Sequence, residues 1–526
     1  MSEKKQITKA AGLMSSATFA SRIMGFVRDM TMANFFGTSG VSDSFYLAFK
    51  IPNMLREIFA EGSMSAAVIP VLTGYQKDDP RAAKSLVRVL LGFVLIAVGV
   101  ICILGILFAG PIVSVIGYGL SKDPEKASTL ALTVVQVRTM MPFLLFISLA
   151  SIIMAALNTR RVFFVPALSP ALFNITIVIS VFLLAGILDQ PIMAAAIGVV
   201  IGGFMQFLIQ TPSHLKMGGS LRPSFAFSHP GLKQIGVLIL PVTFGMAVSQ
   251  INIVVGAFLA AFLPAGSITY LFVSMRLIQF PIGVFGVAMG IAILPSLSSH
   301  AHEGNIDKLK EDFSFALRLL FFIGVPAMAG LIALRVPIIA TLFQRGEFTV
   351  ASTVGTSQAL LYYALGIWAT MGVKVLASTF YSLKDTKTPV KAAVAALTIN
   401  IILSIMLMGP MLHSGLALAQ SLSAILNFSL LFILLRRNLK GIGAGRIINT
   451  LLRSAFAALI MALAGAYAAD LPIWLEAGRT LEKAGLLGAL IAGSVIIYMT
   501  ISALMKSDEL SFVLKLIKDR YKRSKQ

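Results

Sequence analysis

Eight ionisable side chains fall between residues 22 and 61, in a stretch otherwise apolar enough to cross a membrane: Arg22, Arg28, Asp29, Asp43, Lys50, Arg56, Glu57 and Glu61. Two more, Arg276 and Lys374, interrupt apolar runs of the second half. A charge at the bilayer centre costs roughly 2.5 to 3.5 kcal/mol even on the lenient insertion scale, so six cations facing lipid would cost on the order of 15 kcal/mol or more. They are expected to line a wet cavity instead. Six cations against four carboxylates leave that cavity net positive by about two charges. An anion is the matching ligand, and the planar two-pronged donor of arginine fits phosphate oxygens in particular. The expected chemistry is the binding of phosphate or pyrophosphate. The carboxylates would orient the arginines and keep binding weak enough for release.

Helices must position these groups. Asp43, Lys50, Glu57 and Glu61 are spaced by seven, seven and four residues, which at 100° per residue keeps them within about 40° of one another. Pro52 is expected to bend that helix and bring Arg56 toward the same face. Arg22 and Asp29 share a face of the preceding helix, where Gly25 permits a bend or unwound turn before Arg28. Intrahelical ion pairs, and snorkelling of Arg28 and Asp29 toward an interface, are the plainer alternatives. Arg138 and Arg318 lie near helix ends and are read as snorkelling interfacial residues.

Apolar windows give about fourteen helices. At 57% hydrophobic and 12% charged over 526 residues, with mean hydropathy +0.89, the composition excludes a soluble protein. The formal net charge of +21 does not imply nucleic acid, because the basic residues follow topology. About 29 fall on the face shared with the termini and about 6 on the other, so both termini are expected in the cytoplasm. The basic C-terminal run, Lys515 to Lys525, is expected to lie on anionic lipid headgroups.

A repeat is visible at an offset of about 225 to 226 residues: Thr18-Phe19 recurs as Thr243-Phe244, Lys50 as Arg276, Ile69-Pro70 as Leu294-Pro295 and Asn174 as Asn400. The expected fold is an all-α polytopic membrane protein with two pseudo-symmetric six-helix lobes, residues 1–225 and 226–440. Residues 441–526 add two helices and the tail. The pairs Gly198/Gly202 and Gly286/Gly290 are read as packing surfaces.

No Gly-rich Lys-Ser or Lys-Thr phosphate loop and no Cys-x-x-Cys or His-Glu-x-x-His spacing occurs. No cofactor and no metal site is expected. The five histidines fall in or beside loops, which gives little support to a histidine proton relay. The single cysteine, Cys102, can form no internal disulfide.

The run Ser21-Arg22-Ile-Met-Gly25-Phe26-Val-Arg28-Asp29, then Asp43-Ser-Phe, Phe49-Lys50-Ile-Pro52-Asn53-Met-Leu-Arg56 and Phe59-Ala-Glu61-Gly62, resembles the MurJ (MviN) family of lipid II flippases. The likeness continues at Arg276-Leu-Ile-Gln-Phe280-Pro281, Ile293-Leu294-Pro295-Ser296-Leu297, Phe380-Tyr381-Ser382 and Lys387-Thr388-Pro389. It implies the fold of the multidrug, oligosaccharide-lipid and polysaccharide exporter superfamily. It also implies that Arg22, Arg28, Arg56 and Arg276, with Asp29, Asp43 and Glu61, line a central cavity that serves transport. Glu57 and Gln279 depart from residues found in some members, which leaves their partners open.

The expected function is therefore a flippase of the bacterial cytoplasmic membrane, a transporter rather than an enzyme. It would move a lipid-linked disaccharide-peptide pyrophosphate from the inner to the outer leaflet by alternating access. Membrane lipids and cell-wall synthesis proteins are the candidate partners, with no nucleic acid. A related exporter of another polyprenyl-linked glycan or of a drug is the alternative, and a membrane-embedded glycosyltransferase a remoter one.

Overall fold

Long apolar runs with few charges leave the backbone no water to bond, so each run must close its own hydrogen bonds as a helix. The computed structural model describes residues 3–58, 63–476 and 478–524. Among them every regular element is helical and no strand occurs. Nine helices among the described residues are long and apolar enough to cross a membrane, or ten if Val350–Ala364 and Ile367–Ser382, bent by 40°, form one span. The 52-residue run Lys387–Asn438 reverses at Leu412 (φ 51°, ψ −133°) and is two helices, joined across the turn by Asn400 Nδ2 donating to Gln420 Oε1 at 3.0 Å. Hydropathy passes over Glu3–Phe36, which carries Arg22, Arg28 and Asp29, and over Gly40–Arg56, which has only 17 residues. The expected count of fourteen is thus not reached by length and composition among the described residues: the reversed run counts once, and the candidate site dilutes the two helices that carry it.

Backbone contacts divide the chain into two units, Met1–Ile268 and Thr269–Gln526. In the first, the Glu3–Phe36 and Met193–Lys216 helices both pack on Phe164–Leu184. Gly198 and Gly202 make the second approach possible: an added Cβ would lie 2.9 Å from the Ile177 Cα and 2.7 Å from the Phe173 ring. The packing role expected of this pair is what the backbone shows. Asp79 caps the Pro80–Leu107 helix by accepting the Arg81 and Ala82 N–H groups at 2.8 and 3.2 Å, with Pro80 in the first turn.

In the second unit, Ile306–Ala333 packs against Ala444–Ala469 and Ile367–Ser382. Ser267–Pro281 runs through a π-helical stretch, Ile282–Val287, into Ala288–His302. In the first unit, Glu57 and Ile58 after the Gly40–Arg56 helix are also π-helical. These wide turns stand about 225 residues apart, the offset of the sequence repeat, and π turns gather at functional sites.

The Lys387-Thr388-Pro389 motif has a local reason. Asp385 accepts the Lys387 and Thr388 N–H groups at 3.0 and 2.9 Å and the Thr388 hydroxyl at 2.6 Å, capping the helix that follows. These bonds, the Thr388 hydroxyl foremost, hold the Asp385 carboxyl below the usual carboxylate range. Asp385→Ala should cost about 1 kcal/mol of stability at neutral pH. Because the folded-state value is depressed, that contribution is present above the ordinary carboxylate range and lost as pH falls through the depressed value. Melting curves of wild type and variant should therefore differ at neutral pH and converge once acid has protonated the Asp385 carboxylate. A gap that persists in acid would show that the cap does not work through the carboxylate.

Candidate functional site

Arg28 sits in the Glu3–Phe36 helix with only 8% of its surface exposed, and Asp29 with 3%. A guanidinium so buried must have every prong engaged. Nε and Nη2 donate to Asp29 Oδ1 at 3.1 and 2.7 Å, and Nη1 donates to Asn174 Oδ1 at 3.0 Å. Asn174 is itself oriented by donating Nδ2 to the Pro170 carbonyl at 2.9 Å. Gly25 faces the same amide, so a Cβ there would stand 3.5 Å from it. Arg22, two turns back, has an exposed side chain.

The Gly40–Arg56 helix starts at Ser39, whose side chain accepts the Ser42 N–H at 3.4 Å. Asp43, 4% exposed, accepts the Gly266 N–H at 2.7 Å from the loop after the Pro230–Ala260 helix. Lys50, half-buried, follows two turns later, about 20° round the helix from Asp43. The helix ends in a polar chain. Arg56 Nε donates to Asn53 Oδ1 at 3.1 Å, Asn53 Nδ2 to Glu57 Oε1 at 3.2 Å, and buried Gln250 donates Nε2 to Glu57 Oε2 at 2.8 Å. The Arg56–Glu57 ion pair is looser, at 4.0 Å. Glu61 lies outside the described residues.

In the second unit Arg276, half-buried, sits 5.3 Å over the Phe272 ring, a cation–π contact. Lys374 is exposed on the Ile367–Ser382 helix. The structure thus joins Arg28 with Asp29, and Arg56 with Glu57. It sets Asp43 and Lys50 on one helix face, while Arg22 and Lys374 present exposed side chains.

Sequence reasoning missed the amides. In the sequence Asn174 stands out only through the repeat, and Asn53 only inside a motif. Gln250 carries no such mark. The available signal was a carboxamide within an apolar span, which needs a partner as a charge does. Arg318, expected to snorkel, also has a distant partner. Its Nη1 donates to Glu509 Oε1 at 2.8 Å, because Glu509, 4% exposed at the start of the Asp508–Ser524 helix, needs a cation. Lys483 is buried at 2% exposed and donates Nζ to the Trp474 and Glu476 carbonyls at 3.0 and 2.6 Å.

Chemically, the Arg28 cluster can exchange ligands. A guanidinium held by one carboxylate oxygen and one amide oxygen can trade either for a phosphoryl oxygen without changing the geometry of its donors. Among the described residues no group of three His, Cys, Asp or Glu side chains could hold a metal ion.

The fold is one shared with a solved transporter described as of the MOP superfamily. A solved inward-facing multidrug resistance MATE family transporter of that superfamily covers 82% of this chain and 98% of its own at TM-score 0.66, with 12% identity, a likeness of fold alone. The family profile described as lipid II flippase MurJ matches residues 32–476. The Vibrio cholerae protein named probable lipid II flippase MurJ is 35% identical over 513 residues, 95% of this chain and 97% of its own. The lipid II flippase MurJ of Burkholderia cenocepacia is 33% identical over 81% of this chain and 83% of its own. A solved lipid II flippase MurJ in an inward closed conformation, 29% identical, covers 94% of this chain and 99% of its own at TM-score 0.77. The chain belongs to the MurJ family. These relatives are named as flippases, which are transporters and not enzymes.

Proposed function

We propose that this protein flips lipid II, the lipid-linked peptidoglycan precursor, from the inner to the outer leaflet of the bacterial cytoplasmic membrane by alternating access. Both termini lie in the cytoplasm, and residues 1–225, 226–440 and 441–526 act as first lobe, second lobe and added helical pair. Arg22, Arg28 and Arg276 meet the pyrophosphate, with Lys50, Arg56 and Lys374 contributing. Asp29, Asp43, Glu57 and Glu61 hold the cations in place and compete for them, which allows release. The observation that carries this reading is the guanidinium of Arg28 buried in an apolar helix and held by exchangeable oxygens.

The test is to deplete the protein in growing cells and measure which leaflet holds the precursor. The proposal expects the outer-leaflet fraction to collapse while the inner fraction accumulates. Unchanged accessibility at the outer face would refute it.

A further inference from the structure

The Met193–Lys216 and Pro230–Ala260 helices of the first unit are joined by a strap, residues 217–229, whose stretch 219–226 has no regular structure. The strap is pinned. It crosses the Pro80–Leu107 helix, where Arg88 donates Nε to the Arg222 carbonyl at 3.2 Å and the Ser224 N–H donates to the Arg88 carbonyl at 2.8 Å. Gly92, one turn on, lets the strap come close, since an added Cβ would overlap the Ser224 carbonyl. Phe227 lies edge-on to Phe93 of the same helix with ring centroids 6.1 Å apart, and its ring is 6.3 Å from that of Phe225. Despite these contacts, Phe225 and Phe227 are 56% and 41% exposed.

The helix beneath sets the depth. Its first turns carry Arg81, Lys84 and Arg88, whereas the nineteen residues from Val89 to Leu107 carry no charge. At 1.5 Å per residue that run is about 28 Å long, close to the hydrocarbon thickness of a bilayer. The boundary between charged and apolar helix therefore falls between Arg88 and Phe93, which is where the strap crosses. Two constraints meet at this level. Irregular backbone facing lipid is not tolerated within the hydrocarbon, because its peptide groups find no water there, so the strap cannot lie deeper. Two neighbouring exposed phenylalanines shun water, so it does not stand clear of the bilayer either.

We infer that the strap lies in the boundary between headgroups and acyl chains of one leaflet, with Phe225 and Phe227 inserted among the upper acyl chains and the exposed Arg222 side chain at headgroup level. Lipid is the occupant because the aromatic pair, through Phe93, continues the exposed apolar side of the Pro80–Leu107 helix formed by Ile96, Val100 and Ile103. The anchor also fixes where the next helix begins. His229 accepts the Gly231 N–H on Nδ1 at 3.1 Å and lies edge-on to Tyr75 at 5.3 Å, so Pro230–Ala260 starts from an end held at the interface. The inference needs only that the chain spans a membrane, not that it flips a lipid.

The test spin-labels the full chain in nanodiscs at single introduced cysteines, Arg222→Cys, Phe225→Cys or Phe227→Cys, all at exposed positions, with melting curves as the check on folding. Cys102 is buried and stays in place, label-treated wild type giving its background. Collisions with oxygen, which concentrates among acyl chains, are compared with collisions with a water-soluble nickel chelate. The oxygen-to-nickel ratio is expected to be at least about fivefold higher for the Phe225→Cys and Phe227→Cys labels than for the Arg222→Cys label. Nickel-dominated collisions at all three positions would place the strap in water, and labels shielded from both reagents would show it covered by protein, a second copy of the chain included. Either result overturns the inference. The readout is independent of transport, so its failure leaves the flippase reading standing.

Discussion

Arg28→Ala is expected to lower transport of the lipid-linked precursor by about 100-fold or more, since a lost charge-assisted pair is worth up to about 3 kcal/mol. The variant also leaves Asp29 buried and unpaired at 3% exposed, which by itself destabilises the fold. Two companions separate the effects. Arg28→Ala with Asp29→Ala removes the stranded carboxylate, and it should regain stability without regaining transport. Arg28→Lys keeps the charge but cannot reach Asp29 and Asn174 together through a planar fork, and should transport at an intermediate rate. The measurement is flipping per folded molecule in reconstituted vesicles. Full activity of the double alanine variant would remove Arg28 from the transport machinery. Asn174→Ala, which frees one prong of the same guanidinium, should lower transport less than Arg28→Ala does.

Glu509→Ala should destabilise the second unit by about 3 kcal/mol. The carboxylate accepts from Arg318 at 2.8 Å, from Thr450 at 3.0 Å and from Ser507 at 2.9 Å, joining the Ile306–Ala333, Ala444–Ala469 and Asp508–Ser524 helices. Alanine leaves the Arg318 guanidinium with the looser Asp508 carboxylate at 3.9 Å and takes their acceptor from the Thr450 and Ser507 hydroxyls. The Phe315–Phe512 ring contact, with centroids 4.8 Å apart, and buried Leu510 then hold the C-terminal helix without its charged anchor. A melting temperature lower by several degrees, with faster proteolysis beyond Met505, is the expected result. Replacing the pair together, Arg318→Met with Glu509→Leu, should recover most of the loss, because a matched apolar pair strands no charge. Equal stability of Glu509→Ala and wild type would show that the pair does not support the fold.

The fold was legible wherever one physical rule acts alone. Apolar runs of spanning length became helices, and Gly198 and Gly202 marked a close helix approach, because a small residue within an apolar span has few other uses. The repeat was visible in the chain, and the π-helical turns at Glu57 and at Ile282–Val287 fall at the same offset. The site was legible in its charges and illegible in its partners. Charge in an apolar helix stands out by composition, whereas the amides that satisfy it come from distant segments: Asn174 lies 146 residues from Arg28, and Gln250 lies 193 from Glu57. Spacing along one helix cannot find such pairs. The partner of Arg318 is illegible for the same reason, since Glu509 lies 191 residues away.

The central claim is that guanidinium groups of this chain bind the pyrophosphate of a lipid substrate. The most direct measurement compares binding of a polyprenyl pyrophosphate and the matching monophosphate to purified wild type and to the Arg22→Ala, Arg28→Ala, Arg276→Ala triple variant in nanodiscs, with melting curves as the check on folding. The account predicts that wild type prefers the pyrophosphate and that a folded triple variant loses that preference, with binding weaker by about 100-fold or more. Undiminished, still selective binding by the folded variant would contradict it.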